Sequence, residues 1–419
     1  MSVPSTKSKG SRTRGDCGNG LHRARQASIL TGAAVLCLSI LAVAPKTDYY
    51  SAPAKLSGGW SEPQSGWLYV LDPEVEDGNS AVWLVDPEEG VKGGLQAGYA
   101  PFFALSPDGD RLYVTSGQPG PPGSGVFSDE LWAIDTASGV LLQRVRLSDR
   151  VTYTLPAPGG LAVSPDGRYV HVAKSRTIRP GVHEQTIQTF DTIRKRFLPE
   201  EAELRGCGFP EIIPVSGTWQ LVVMCGSRGA RCINLASDGS VKHSLFVEVP
   251  IGLSAVTSGR RVVKRPLAQI SPSADARRLG LIMNNGEIFE AELGDSPFRI
   301  KPTLAPPLSP SHRVLQVGGS RRSPNGAKVF VGCASKELIS TSLTADEIHV
   351  FDTASSWTRE AIIRTPVPFS DLVLSADGRD LFAISPETRT LLNIDRATGQ
   401  VENSIADIGV QPRFLAIAP

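Results

Sequence analysis

A short segment that recurs along this chain constrains its fold more than any other feature. The segment reads Ser-Pro-Asp-Gly or a close variant, and an alternating apolar run follows within a few residues. Clear copies begin at Ser106, Ser164, Ser323 and Ser375, and a degenerate copy begins at Ser271. Proline presets φ, aspartate bonds back to the backbone and glycine accepts a positive φ, so each copy predicts a turn that leads into a β-strand.

A second unit recurs between these copies: a strand that ends in aspartate, then a turn, then another strand. Its clearest cases end at Asp135, Asp352 and Asp395. The two units together give about four strands per repeat. The turn serines are 58 residues apart in the first pair and 52 residues apart in the two later pairs, so residues 67–419 have room for seven repeats. This period predicts an all-β fold, a seven-bladed β-propeller. A pair of β-sandwiches is the alternative, and the regular period disfavours it.

The two ends of the predicted propeller carry matching strand-like runs. Residues 68–71 read Leu-Tyr-Val-Leu, and residues 414–417 read Phe-Leu-Ala-Ile. An open ring would leave sheet edges unpaired and ready to join other chains. We therefore expect one run to pair into the blade of the other and close the ring.

The residues before the propeller have the pattern of an export signal. Residues 1–26 are basic, and residues 27–44 hold no charge over 18 positions. As a helix rising about 1.5 Å per residue, this stretch is just long enough to span a bilayer. It predicts a signal peptide or a transmembrane anchor, and both remain open. Residues 45–66 are predicted to be a linker. Since the basic side stays in the cytoplasm, we expect a periplasmic or other extracytoplasmic propeller, attached to the inner membrane if the helix is retained.

Charge and cysteine content agree with an exported globular protein. The formal net charge is +1, without the strong positive charge typical of nucleic-acid-binding proteins. Cys17 and Cys37 lie before the propeller, and four further cysteines follow; these can pair in an oxidising compartment. Cys207 and Cys225 flank strand-like runs that a hairpin would bring together, and Cys232 is a competing partner. No Cys-x-x-Cys spacing occurs, which argues against a zinc site.

The sequence carries few signs of catalytic chemistry. Its histidines are scattered, and it has no nucleophile elbow, metalloprotease motif, phosphate-binding loop or dinucleotide fingerprint. Aspartates end several predicted strands, where most of them are expected to cap turns; a metal site would require them to face the central channel. They are Asp72, Asp86, Asp135, Asp191, Asp352 and Asp395. We therefore predict no catalytic, cofactor-binding or metal-ligating residue in this chain.

The repeat resembles the YVTN-type β-propellers. The order of the segments, moreover, is similar to that of the heavy chain of bacterial amine dehydrogenases, the methylamine dehydrogenase family. The resemblance runs in collinear order from residues 67–73, through the two-cysteine segment 207–226, to residues 347–352 and 391–399. Most of the matching residues are propeller turns, whereas the cysteine segment and the collinear order are more specific.

This resemblance implies a function. Heavy chains of that family are seven-bladed periplasmic propellers that carry no cofactor themselves. They bind a small cysteine-rich light chain whose tryptophan tryptophylquinone oxidises primary amines and passes electrons to a cupredoxin or a cytochrome. By resemblance, Cys207 and Cys225 form a disulfide, and Tyr99 borders the substrate access to the light chain. Tyr99 also has a simpler interpretation, as a packing residue in a turn. This chain would then be the non-catalytic subunit of an oxidoreductase.

A different class of function fits the same fold. A stand-alone YVTN-type propeller can act as a binding scaffold or as a lactonase-like hydrolase. A lactonase needs a polar or metal-binding central pocket, so the residues that line the channel distinguish these alternatives.

Overall fold

The strands of the propeller can be followed from residue 54 to the end of the chain. The computed structural model describes residues 54–56, 58–73, 80–98, 102–117, 126–153, 160–179, 182–204, 210–215, 220–225, 229–248, 254–257, 260–263, 267–273, 277–292, 300–303, 305–306, 308–309, 312–315, 320–335 and 344–419. Regular structure in these ranges is β-strand throughout, and they contain no helix that is long and apolar enough to cross a membrane. The predicted signal or anchor segment, residues 27–44, lies outside the described residues.

The strands fall into consecutive groups along the chain. The first three groups are β1 (Ala54–Lys55), β2 (Leu68–Asp72), β3 (Ser80–Asp86) and β4 (Gly90–Gly98); β5 (Phe103–Leu105), β6 (Arg111–Ser116), β7 (Val126–Asp135) and β8 (Leu141–Tyr153); and β9 (Leu161–Val163), β10 (Tyr169–Arg179), β11 (Val182–Asp191) and β12 (Arg196–Glu203). The next groups are β13 (Pro210–Val215), β14 (Gln220–Cys225), β15 (Gly229–Leu235) and β16 (Val241–Glu248); the pair β17 (Ser254–Thr257) and β18 (Arg260–Val263); and β19 (Leu267–Pro272), β20 (Arg278–Met283), β21 (Ile288–Glu292) and β22 (Ile300–Pro302). The last groups are β23 (Arg313–Val314), β24 (Ser320–Arg322), β25 (Lys328–Ala334), β26 (Ala345–Asp352) and β27 (Thr358–Phe369); β28 (Asp371–Leu374), β29 (Asp380–Ser385), β30 (Thr390–Asp395) and β31 (Val401–Ile405); and finally β32 (Phe414–Ile417).

These strands build a seven-bladed β-propeller, as predicted. Within the described ranges, seven antiparallel sheets have four or five strands each, and β17 and β18 form a separate hairpin. We number the blades along the chain. Their inner strands are β32 in the first blade, β5 in the second, β9 in the third, β13 in the fourth, β19 in the fifth, β23 with β24 in the sixth and β28 in the seventh. Successive inner strands contact one another around much of the ring. The inner strands therefore surround the axis of the propeller.

The hydrophobic core consists of seven clusters of described residues, one at each interface between neighbouring blades. Strand β2 contributes to two of these clusters, because successive side chains of a strand point to opposite faces of the sheet. Tyr69 and Leu71 pack towards the second blade, whereas Leu68 and Val70 pack towards the seventh blade. A strand that is buried on both faces needs a continuous apolar run, and the run at residues 68–71 satisfies this need. No blade buries its faces alone, so the ring folds as a unit.

The ring closes through the C-terminal strand, as predicted. Strand β32 pairs antiparallel with β2 and supplies the inner strand of the first blade. The carboxylate of Asp72, at the end of β2, accepts hydrogen bonds from the backbone N–H groups of Val410 and Gln411 at 2.6 and 3.2 Å. Gly409, just before them, has a φ of 62°, and a Cβ there would overlap the Asp72 carboxylate. Pairing and carboxylate together fix the closing segment.

The predicted turns form at the four clear copies of the repeat. In the first copy, the Ser106 hydroxyl donates to Asp108 at 2.5 Å and accepts from the Arg111 backbone N–H at 2.9 Å. Gly109 takes a φ of 77°, a conformation that glycine adopts without steric cost. The same serine-to-side-chain bond occurs in the copies that begin at Ser164, Ser323 and Ser375.

In the degenerate copy, the turn serine is Ser273 and not the predicted Ser271. The hydroxyl of Ser273, not that of Ser271, accepts from the backbone N–H five residues later, on Arg278, at 2.9 Å. The Ser273 N–H in turn donates to the Arg278 carbonyl at 2.7 Å. Ser271 lies within β19, and its hydroxyl accepts from Arg322 at 3.3 Å. The Ser-Pro pair at residues 271–272 therefore resembles the turn in sequence but belongs to the strand before it.

The folded unit extends upstream of residue 67, into the segment predicted as a linker. Strand β1 pairs with β4 and adds a fifth strand to the outer edge of the first blade. The Trp60 indole N–H donates to the carbonyl of Thr136 in the second blade at 2.6 Å. Trp60 also packs on the cluster between these two blades. Residues 54–56 and 58–66 thus contribute contacts to two blades.

Candidate functional site: the central cavity

A cavity of about 330 Å³ lies where the inner strands of all seven blades meet. Five blades contribute apolar side chains to its wall: Phe103, Leu161, Ile213, Ile270 and Phe414. The sixth and seventh blades contribute Arg321 and Asp371. The cavity is therefore an apolar chamber with one charged sector.

The charged sector is an ion pair that joins the inner strands of two blades. The Arg321 guanidinium lies 2.9 Å from Oδ1 of Asp371, and it also donates to the Ser320 carbonyl at 3.0 Å. The Asp371 carboxylate accepts from the backbone N–H groups of Leu372 at 2.8 Å and Leu415 at 2.9 Å. Since Leu415 belongs to β32, Asp371 ties the charged sector to the strand that closes the ring.

The two charges differ in their exposure. The Asp371 side chain is 1% exposed, whereas the Arg321 side chain is 28% exposed. Burial raises the pKa of Asp371 to about 6, although the Arg321 charge and the two backbone N–H groups oppose this rise. The guanidinium is therefore the more accessible of the two charges to a molecule in the cavity.

Arg322, next in the chain, also lines the cavity but is held by the blade. Its guanidinium donates to the Gly326 carbonyl at 2.7 Å and lies 5.7 Å from the centre of the Trp357 ring. These contacts, with the bond to Ser271, direct it to the interface between the fifth and sixth blades. Arg321 is therefore the better placed of the two to bind a ligand near the axis.

Five of the six strand-ending aspartates are turn residues, as predicted for most of them, and none of the six lines the cavity. The carboxylates of Asp135, Asp352 and Asp395 each accept a backbone N–H from the turn that follows, at 2.6–3.0 Å. Asp86 and Asp191 do the same, and Asp72 binds the closing segment. Within the described residues, no group of three or more His, Cys, Asp or Glu side chains is placed to hold a metal ion.

The residues singled out by resemblance lie away from this cavity or outside the described part of the chain. Cys225 ends β14 in the fourth blade and is disulfide-bonded. Cys207 and Tyr99 fall outside the described residues, so the pairing of Cys207 with Cys225 and the role of Tyr99 stay predictions. Cys232, the competing partner, is a buried free thiol, as is Cys333.

Sequence reasoning missed Arg321 and Asp371, although the repeat contained a signal. Arg321 stands two residues before its turn serine. At that position the other clear copies have Ala104, Ala162 and Val373. A charged residue on an inner strand, in a register that is otherwise small and apolar, marks a position that faces the axis or an interface.

Comparison with known proteins supports the fold. No protein-family model matches the chain, and no curated protein matches it. A functionally unknown protein from Desulfotomaculum acetoxidans is 13% identical, with a TM-score of 0.56 over 84% of this chain and 99% of its own. A "putative 6-phosphogluconolactonase" from Bacteroides uniformis is 13% identical, with a TM-score of 0.57 over 84% of this chain and 99% of its own. Dihydro-heme d1 dehydrogenase NirN in complex with DHE is 16% identical, with a TM-score of 0.50 over 90% of this chain and 74% of its own. At these identities the likeness shows the fold alone.

Proposed function

We propose that this chain is an extracytoplasmic propeller that binds a small molecule in its central cavity. The observation that carries the proposal is the cavity itself, to which all seven blades contribute: five supply apolar side chains and the other two supply the charged sector. Ligand pockets in proteins typically measure about 300–1,000 Å³ and combine apolar walls with a few polar groups. The volume of about 330 Å³ corresponds to a ligand at the small end of that range. The export signal predicted at residues 27–44 supports the location.

Binding fits the cavity better than hydrolysis does. A hydrolase needs an activated nucleophile, with a base in hydrogen-bonding reach, or a metal site. The two serine hydroxyls of the wall are engaged in the blade, since Ser320 donates to the Ile270 carbonyl at 3.4 Å and Ser271 accepts from Arg322. The Asp371 side chain is 1% exposed and is ion-paired with Arg321. Among the structural neighbours, dihydro-heme d1 dehydrogenase NirN was solved in complex with DHE.

A neutral fluorescent probe tests this proposal. N-phenyl-1-naphthylamine is apolar and uncharged, and its emission rises when it leaves water. We expect saturable binding to the purified full chain. Ile213→Trp fills the cavity and should weaken binding at least tenfold. Ile193→Trp is the matched control, because Ile193 is 72% exposed, and it should bind like the wild type. No saturable binding, or equal loss in both variants, would refute the proposal.

The disulfide state of Cys225 favours a second candidate, the heavy chain of an amine dehydrogenase. In this proposal the chain holds a small cysteine-rich light chain with tryptophan tryptophylquinone, and a cupredoxin or cytochrome accepts the electrons. Affinity purification of the exported protein from its own host, followed by mass spectrometry, tests it. A disulfide-rich chain with two cross-linked tryptophans would support this function. A propeller that elutes without such a chain would exclude it.

A further inference from the structure

The charged sector of the central cavity indicates which class of ligand the cavity takes. This inference rests on the proposed binding function and specifies it. The guanidinium of Arg321 carries five N–H donors. The described residues engage it at the Ser320 carbonyl and at Asp371. Donors therefore remain for a group in the cavity, and the 28% exposure of the side chain makes them accessible.

The position of Arg321 is fixed before any ligand arrives. Asp371 receives bonds from Leu372 on β28 and from Leu415 on β32, so two strands hold the carboxylate that holds the guanidinium. A donor that is already oriented loses little conformational freedom when it binds. The apolar side chains around Arg321 lower the local dielectric constant, which strengthens charge-assisted hydrogen bonds.

The rest of the cavity wall favours a ligand with an apolar surface. Phe103, Leu161 and Ile213 present apolar surface on the second, third and fourth blades, away from the charged sector. A small inorganic ion would leave this surface uncovered, whereas a purely apolar molecule would bury the guanidinium donors without partners, which is costly. The guanidinium of an arginine is always charged in proteins and forms planar, two-pronged bonds with oxyanions.

We infer that the ligand of the central cavity is a small organic acid, with an apolar body against the inner strands and one oxyanion group bound by Arg321. Asp371 positions Arg321 and does not contact the ligand. The structural alternative is that Arg321 only ties the sixth blade to the seventh. The experiment must therefore report on the charge of the ligand and not only on the stability of the protein.

Two probes that share one apolar body provide this readout. 8-Anilinonaphthalene-1-sulfonate is N-phenyl-1-naphthylamine with one added sulfonate. We expect the full chain to bind the sulfonate probe at least tenfold more tightly than the neutral probe. Arg321→Gln should retain affinity for the neutral probe and lose the tenfold preference. Arg364→Gln, at a side chain that is 82% exposed, is the control and should retain the preference.

A competition experiment on the wild type covers the case in which Arg321→Gln does not fold. 4-Phenylbutyrate should displace the sulfonate probe at concentrations at least tenfold lower than 4-phenylbutyramide, its neutral counterpart. Equal displacement, or a preference for the sulfonate probe that survives in Arg321→Gln, would overturn the ligand class while leaving cavity binding intact. If neither probe binds, the proposed function fails as well.

Discussion

The buried imidazole of His171 should make the stability of this protein depend on pH in a calculable way. His171 lies on β10 and is fully buried, and its Nδ1 is 3.0 Å from the Thr189 hydroxyl oxygen. Burial lowers the pKa of His171 from 6.5 to about 4, although the charge of Asp166 opposes this. Between these values the unfolded chain binds a proton that the folded protein does not bind. The free energy of unfolding therefore falls as pH falls through this window.

The magnitude follows from the two pKa values. At about 1.36 kcal/mol per pKa unit, lowering the pH from 7 to 5 should cost about 2 kcal/mol of stability through His171. Asp371 acts in the opposite direction. Its folded-state pKa of about 6 lies above its ordinary 3.8, so the folded protein takes up that proton first and gains about 1 kcal/mol over the same interval. The two groups partly cancel in the wild type.

Variants separate the two contributions. His171→Asn is neutral throughout, so the stability of this variant relative to the wild type should improve by about 2 kcal/mol between pH 7 and pH 5. Asp371→Asn should worsen by about 1 kcal/mol relative to the wild type over the same interval. Urea unfolding followed by tryptophan fluorescence at both pH values measures these differences. A gap between His171→Asn and the wild type that does not change with pH would refute the reasoning.

Three further predictions concern the closure of the ring and the thiols. Gly409→Ala should destabilise the fold by about 2 kcal/mol more than Gly66→Ala. Both glycines have a positive φ, but only at Gly409 would a Cβ overlap the Asp72 carboxylate. Equal urea midpoints for the two variants would contradict this. Deleting β32 should leave the first blade without its inner strand, and limited proteolysis should then cut strands of that blade that resist cleavage in the intact chain. The buried thiols of Cys232 and Cys333 should react with a thiol reagent only after unfolding, since burial raises the pKa of Cys232 to about 12; rapid labelling of the native protein would show that these sites open.

Most of the fold could be predicted from the turn repeat in the sequence. Serine, aspartate and glycine at fixed offsets have a local cause, because Ser106 and Gly109 meet the geometric needs of one turn. Local causes recur at the period of the repeat, and the period gave the number of blades. The closing strand was also accessible, because a strand buried on both faces must be apolar throughout.

Features that depend on distant contacts were not accessible in the same way. The two-residue strand β1 is too short to show periodicity, and its place is set by pairing with β4. The prediction at Ser271 was wrong because its Ser-Pro pair matches the first two residues of the repeated turn segment. The sequence alone does not show that this pair belongs to a strand. The charged sector was missed because Arg321 and Asp371 are 50 residues apart and meet only across two blades. The hydrogen bond from Leu415 adds a third strand from the far end of the chain.

The seam between β2 and β32 has a consequence for the behaviour of several copies together. Asp72 and Val410 are 338 residues apart in the chain, yet closing so long a loop costs little extra at equilibrium, since each doubling of loop length adds only about 0.6 kcal/mol. The separation affects the rate of folding instead, because contacts between residues so far apart in the chain form late. Until they form, the edge of β2 is open to the β32 of another molecule. Concentrated refolding mixtures should therefore contain strand-exchanged dimers, each with two complete rings, whereas dilute mixtures should yield monomers.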